Sequence, residues 1–214
     1  MTVSEAIVRL RTYLDEAGIS DGFYKDTTEL MTALNDGVRE VVKIIFSIYR
    51  SKRVVNGMEK LPEVLQRYMS SNSIPVMYTP QMPMPADCMY IVGASYSVNG
   101  NNLKPCYERS LSERDPFDQA NSFLAATADA PYFYVRFGSI WFEPGITGSG
   151  ACEVLYLRRP ASASAVTDSL DTIEAAHNAV IQFAYSAVLR KDLRTQESLE
   201  EYQKFLGMTQ QLYM

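Results

Sequence analysis

"PYFYVRFGSIWFEPG", residues 131–145, puts six aromatic side chains into fifteen positions, among them the chain's only tryptophan. A ligand platform, a nucleic-acid stacking surface and a buried hairpin can all carry such a run, and the fold turns on which of them it is. The residues alternate as strands do: Phe133, Val135 and Phe137 fall on one face, Tyr132, Tyr134 and Arg136 on the other. Gly138-Ser139 permits a tight turn. Ile140 and Phe142 then share one face, Trp141 and Glu143 the opposite one, and Pro144-Gly145 closes the second strand. An aromatic strand for RNA requires a βαββαβ order and a basic surround, and the chain supplies neither. The stretch therefore reads as a hairpin buried on one face and at least partly covered on the other, with a ligand pocket as the remaining alternative.

The hairpin's flanks read as a sheet. Downstream, a "GITGSG" loop leads to "ACEVLYLRRP", a strand that Pro160 ends. Upstream, "CMYIVGASYSV" is β-branched and aromatic, and Asn99-Gly100 after it is a strong hairpin signal. Four prolines within residues 75–85 exclude a helix there. Residues 111–126 are mixed, with a short helix expected after Pro116.

Both ends of the chain carry helical periodicity. Val3, Ile7, Leu10 and Leu14 form one stripe. A long helix follows from Asp26, Thr27 or Thr28, with Leu30, Met31, Leu34, Val38, Val41, Val42, Ile45, Ile48 and Tyr49 inward. "LPEVLQRYMSS" reads as a short third helix with Pro62 in its first turn. After the linker "ASASAVTDS", Thr167 or Asp168 can cap a helix through Leu189. A last helix over residues 195–206 has Leu199, Tyr202, Phe205 and Leu206 as its stripe, and Gly207 ends or loosens it. The expected class is α+β, a bundle of N- and C-terminal helices (1–73 and 161–214) with an inserted antiparallel β-sheet region (74–160).

Composition narrows the function. A net charge of -5 over 214 residues argues against a free-standing nucleic-acid binder, since Lys and Arg make the phosphate contacts. The N-terminal stretch is amphipathic and not a signal peptide. The most apolar run, residues 41–49, is too short to cross a bilayer and contains Lys43. Three dispersed cysteines, Cys88, Cys106 and Cys152, fit reduced thiols in a cytoplasm.

Catalytic patterns are missing. His177, the one histidine, has apolar helical neighbours and reads as part of a packed face. No His-x-x-x-His or Cys-x-x-Cys spacing offers a metal site, and "GITGSG" opens no helix that could cradle phosphate. Glu113/Asp115 and Glu200/Glu201 read as solvated faces. No cofactor is expected. A thiol enzyme using Cys106 or Cys152 with His177 is a minor alternative.

The pattern as a whole resembles a known group. "TTELMTALNDGVREVV", "MPADCMYIVGASY", "ANSFLAATADAPYFYVRFGSIWFEPGITGSGACEVLYLRRP" and "TIEAAHNAVIQFAYSAVLRKDLRTQESLEEYQKF" are similar to the head-to-tail connector (adaptor, ring) proteins of tailed bacteriophages. Tail tubular protein A and the ring proteins of short-tailed and crAss-like phages are the nearest in pattern. The Pro- and Met-rich "PVMYTPQMPMPAD" departs from it. The resemblance implies a non-enzymatic virion protein of the head–tail neck, made in the host cytoplasm. It implies a homo-oligomeric ring, commonly of twelve copies, that joins the portal protein to the tail, meets other tail or ring proteins and lines the DNA passage without a membrane. Leu212, Tyr213 and Met214, apolar for a free end, are candidate contacts with the portal or a neighbouring subunit. The alternative is a tail component that binds other virion proteins, or host-surface glycans through Trp141 and Tyr134.

Overall fold

The computed structural model describes residues 1–14, 27–56, 60–77, 80–99, 102–109, 125–145 and 149–213. The fold is α+β, with helices from both ends of the chain and a seven-stranded sheet inserted between them in sequence. Two compact units result: residues 1–68 with 160–214, and residues 69–159.

In the helical unit, α1 (Val3–Tyr13) opens with a capping box. The Thr2 hydroxyl accepts from the Glu5 amide at 3.2 Å, and the Glu5 carboxylate accepts from the Thr2 amide at 2.8 Å. α2 (Thr27–Asn56) buries Leu30, Leu34, Val38, Val41, Val42, Ile45 and Tyr49, the expected stripe, and adds Phe46. Met31 and Ile48 sit at its half-exposed margin. A single turn, α3 (Glu63–Gln66), follows, and Tyr68 after it is fully buried. A 3₁₀ turn (Glu174–Ala176) leads into α4 (His177–Lys191), and α5 (Thr195–Gln211) packs back on α4 through Phe183 and Phe205, whose rings lie 5.2 Å apart.

Three helical expectations are corrected. The segment before α4 is not helical, because the Asp168 carboxylate accepts from the amides of Ser164 (2.8 Å) and Ala165 (2.9 Å) and so closes a turn behind itself. The chain there runs beside the N-terminus, with a bridge between Thr2 and Ser169, and α4 begins only at His177. Gly207 does not end α5, which continues to Gln211 because Phe205 and Thr209 on either side of it are fully buried. That packing outweighs the ~1 kcal/mol that a mid-helix glycine costs. Leu199 is 59% exposed, and the inward position belongs to Ser198, whose hydroxyl donates to the Ser186 carbonyl at 2.9 Å.

The sheet unit begins earlier than periodicity suggested. β1 (Met69–Met77) starts inside "LPEVLQRYMSS" and is followed by β2 (Gln81–Pro83), β3 (Cys88–Ser97), β4 (Lys104–Glu108), β5 (Tyr132–Arg136), β6 (Ser139–Glu143) and β7 (Ser149–Arg158). Their order is β1-β7-β3-β4-β5-β6-β2. All pairs are antiparallel except β4–β5, which is parallel, so the sheet is mixed. The prolines now have a reason. Pro75 and Pro83 lie in β1 and β2, the two outermost strands, where one row of backbone groups faces no neighbouring strand and a missing N–H is tolerated. β3 and β4, the strands on either side of Asn99-Gly100, are antiparallel neighbours; Gly100 itself and residues 111–124 lie outside the described residues.

The sheet is curled. Tyr96 of β3 and Phe142 of β6 are three strands apart, about 14 Å in a flat sheet, yet their rings stack at 5.3 Å. Met82, Phe133, Ile140, Cys152, Val154 and Tyr156 join them in one buried cluster.

Candidate assembly surface

The aromatic hairpin divides into a buried base and a bare tip. At the base, Phe133 pairs with Phe142 and both enter the core. On the other face Tyr134 stacks on Trp141, with ring centroids 6.5 Å apart and planes 7° apart. Arg109 lies over the Tyr132 ring at 4.5 Å. Tyr132, Phe133 and Tyr134 are each only 2% exposed, so the base is covered on both faces. Trp141 is half-buried, and its Nε1 has no hydrogen-bond partner among the described residues. Tyr134 is thus closed to a sugar or base, which removes the paired stacking surface on which the glycan alternative rested.

The turn falls one residue earlier than expected. Arg136 pairs with Ser139, so the two-residue loop is Phe137-Gly138, with φ of 49° and 71°. Two consecutive left-handed residues match the twist of the flanking strands, and the first position ordinarily takes Asn, Asp or Gly. Here it holds phenylalanine, 89% exposed, with the Arg136 guanidinium 4.8 Å from its ring centre.

The α4–α5 corner repeats this pattern. The Arg194 amide donates to the Leu189 carbonyl (3.1 Å) and the Leu193 amide to the Arg190 carbonyl (3.2 Å), the paired bonds of a Schellman cap. The left-handed residue of that cap is usually glycine. In this chain it is Leu193, with φ of 62° and 86% exposure. Leu193 lines a shallow depression of about 400 Å³ with Arg194, Glu197 and Glu200. Arg194 is bonded to Glu197, so Glu200 sets the sign of the remaining charge.

These two residues are the only described non-glycine positions with positive φ, and both are large, apolar and almost bare. Periodicity placed Phe137 on a strand face and did not single out Leu193. A usable signal was present in each case. "FG" stands where a hairpin of this spacing usually has "NG", and "KDLRT" offers no glycine where one helix must stop and another start.

Neither Cys106 nor Cys152 has the environment of an activated thiol. Cys152 is fully buried in the sheet core and burial pushes its thiol up to about 11, offset in part by backbone hydrogen bonding from Ile74. Half-buried Cys106 is raised further, to about 12, first by desolvation and then by the neighbouring Cys152. A nucleophilic cysteine requires the opposite shift. His177 stands at the start of α4, its pKa lowered by burial and by the nearby N-terminal ammonium. No group of three or more His, Cys, Asp or Glu is placed to hold a metal among the described residues. No helix among them is long and apolar enough to cross a membrane.

At the C-terminus, Leu212 caps α5 and is half-buried. Tyr213 is half-buried too, with the Lys52 ammonium 4.0 Å over its ring. Met214 lies outside the described residues. Of the three candidate contact residues, one is therefore already engaged with α2 of its own chain.

Among the described residues the hairpin base is covered, and two large apolar residues are held out in left-handed turns. Residues 1–213 match the model of the SU10 adaptor protein. The chain belongs to the SU10 adaptor protein family. No curated protein matches its sequence. Membership makes it a structural adaptor of a bacteriophage virion, associated with other virion proteins. The match runs through both units.

Proposed function

We propose that this SU10-family adaptor assembles as a ring, of twelve copies in the manner of tail tubular protein A and related ring proteins. In this reading the ring sits at the neck, joins the capsid's portal to the tail and lines the passage for the genome. The observation that carries the reading is the family match over almost the whole chain. Two physical features support it. The net charge of -5 suits a lumen through which DNA slides without adhering. Val8, Tyr107, Phe137, Leu193 and Leu199, all more than half exposed, are spread over several elements, as a subunit with more than one neighbour requires. Leu212, Tyr213 and Met214 serve as a further contact with the portal or the adjacent subunit.

Light scattering on the purified protein, alone and with the portal of the same phage, tests the reading. The expected result is a discrete species of ring mass when portal is present. A chain that stays monomeric and ignores the portal would overturn it.

A further inference from the structure

We propose that the Arg136–Phe137 hairpin tip of one copy docks on the Leu193 corner of a second copy, Phe137 against Leu193 and the Arg136 guanidinium towards Glu200. The inference rests on the ring reading and specifies its subunit contact.

The argument starts from two rules that are broken together. A left-handed residue with a β-carbon costs roughly 1–2 kcal/mol, and an exposed aromatic or leucine gains nothing from folding. Asparagine or glycine would be better for the isolated chain at both positions. Departures from local rules with no gain inside the fold mark sites whose gain lies elsewhere. Phe137 and Leu193 are the two described non-glycine residues at which this occurs, and they differ in charge environment. The tip carries Arg136 beside its ring. The corner's depression holds two glutamates against one arginine.

That difference selects the occupant. A tip meeting another tip would set Arg136 against Arg136, and two corners would bring Glu200 against Glu200. Tip against corner pairs apolar with apolar and cation with anion. Such a contact is heterologous, with different faces on the two partners, which is the kind that closes a ring. A phenylalanine buried between subunits beside a desolvated arginine has the composition of an interface hot spot.

The test measures self-association of the full chain by sedimentation and light scattering, alone and on purified portal. Phe137→Asn, Arg136→Glu and Glu200→Arg are each expected to raise the concentration needed for assembly by about tenfold or more. The double variant Arg136→Glu/Glu200→Arg is expected to recover most of that loss. Phe137→Asn should also keep or raise Tm, because asparagine accepts the left-handed turn; a merely structural role for Phe137 would lower it. Wild-type assembly with undiminished assembly of the single variants overturns the proposal and leaves the ring reading standing, as does a double variant no better than its parents. Phe137→Asn that still self-assembles but no longer binds portal assigns the tip to the portal and also overturns it. A wild-type chain that never assembles, with or without portal, removes the ring reading and this contact with it.

Discussion

Gly37 of α2 lies so close to Val180 of α4 that a β-carbon at position 37 would stand 2.8 Å from the Val180 carbonyl oxygen. The Val180 and Phe183 side chains would follow at 3.2 and 3.3 Å. The obstructing atom is backbone, held within α4, and cannot step aside as a flexible side chain would. Gly37→Ala should therefore destabilise the helical unit despite alanine's better helix propensity. Overpacking costs about 1–3 kcal/mol and the propensity gain returns at most about 1. The expected net loss is up to about 2 kcal/mol, read as a lower midpoint in urea. A midpoint at or above that of the wild type would show that the two helices separate more easily than their packing suggests.

Asn35 ties the long helix to the irregular segment that precedes α4. Its amide nitrogen donates to the Ala163 carbonyl at 3.0 Å, and its amide oxygen accepts from the Ala163 amide at 2.9 Å. One side chain thus satisfies both backbone groups of a residue in neither helix nor strand. Asn35→Ala strands both groups at a half-buried position, and a loss of about 1–2 kcal/mol is expected. Hydrogen exchange offers a local check, since protection of the Ala163 amide should fall more than that of α2.

What was legible in the sequence follows from these contacts. The stripe on α2 could be read because burial there repeats at the helical period. The stretch up to α4 could not, since Asp168 has equal chemical standing as a cap for a following helix and as the acceptor of a preceding turn. Only the packing of residues 166–170 beside the N-terminus chooses between them. In the α5 stripe Phe205 was read correctly and Leu199 was not, because Ser198 beside it is buried through a hydrogen bond to Ser186, which an apolar pattern does not register, while Leu199 faces out. At the assembly surface the aromatic base was legible as a covered hairpin. The tip was not, since alternation assigns faces to strand residues and Phe137 is a turn residue.

The thiols give a pH prediction with a definite sign. Cys152 is raised to about 11 and Cys106 to about 12, while Cys88 is raised by burial from its usual range. In each case the unfolded thiol ionises before the folded one. The stabilisation is fully present below the unfolded pKa of about 9 and is lost as pH rises through about 11 and 12. Tyr96, pushed up to about 12 by burial, acts in the same direction. The urea midpoint should decline progressively above pH 9. At pH 8, Cys152 in the folded chain should resist an aromatic disulfide reagent, and all three cysteines should react in denaturant. Rapid labelling of Cys152 in the native chain would contradict its burial.

The C-terminal contact needs a test that spares the fold. Cutting at Gly207 would remove Thr209, fully buried with its hydroxyl donating to the Phe205 carbonyl at 2.9 Å, together with the last turn of α5. Lost portal binding in that variant would report a damaged helix as readily as a missing contact. Tyr213→Ala is the more discriminating change. It gives up an exposed cation–π contact with Lys52, worth about 0.5–1 kcal/mol, and leaves α5 complete to Gln211. With the tail acting as a contact, Leu212→Ala and Tyr213→Ala should weaken binding to portal or to the neighbouring copy by about tenfold, with Tm lowered by only a few degrees. Lys52→Ala supplies the control, because it breaks the same intrachain contact while keeping the apolar tail. Weakened binding in the tail variants with near-normal binding in Lys52→Ala would place Leu212 and Tyr213 at the contact, and equal binding in all three would confine the tail to holding its own α2.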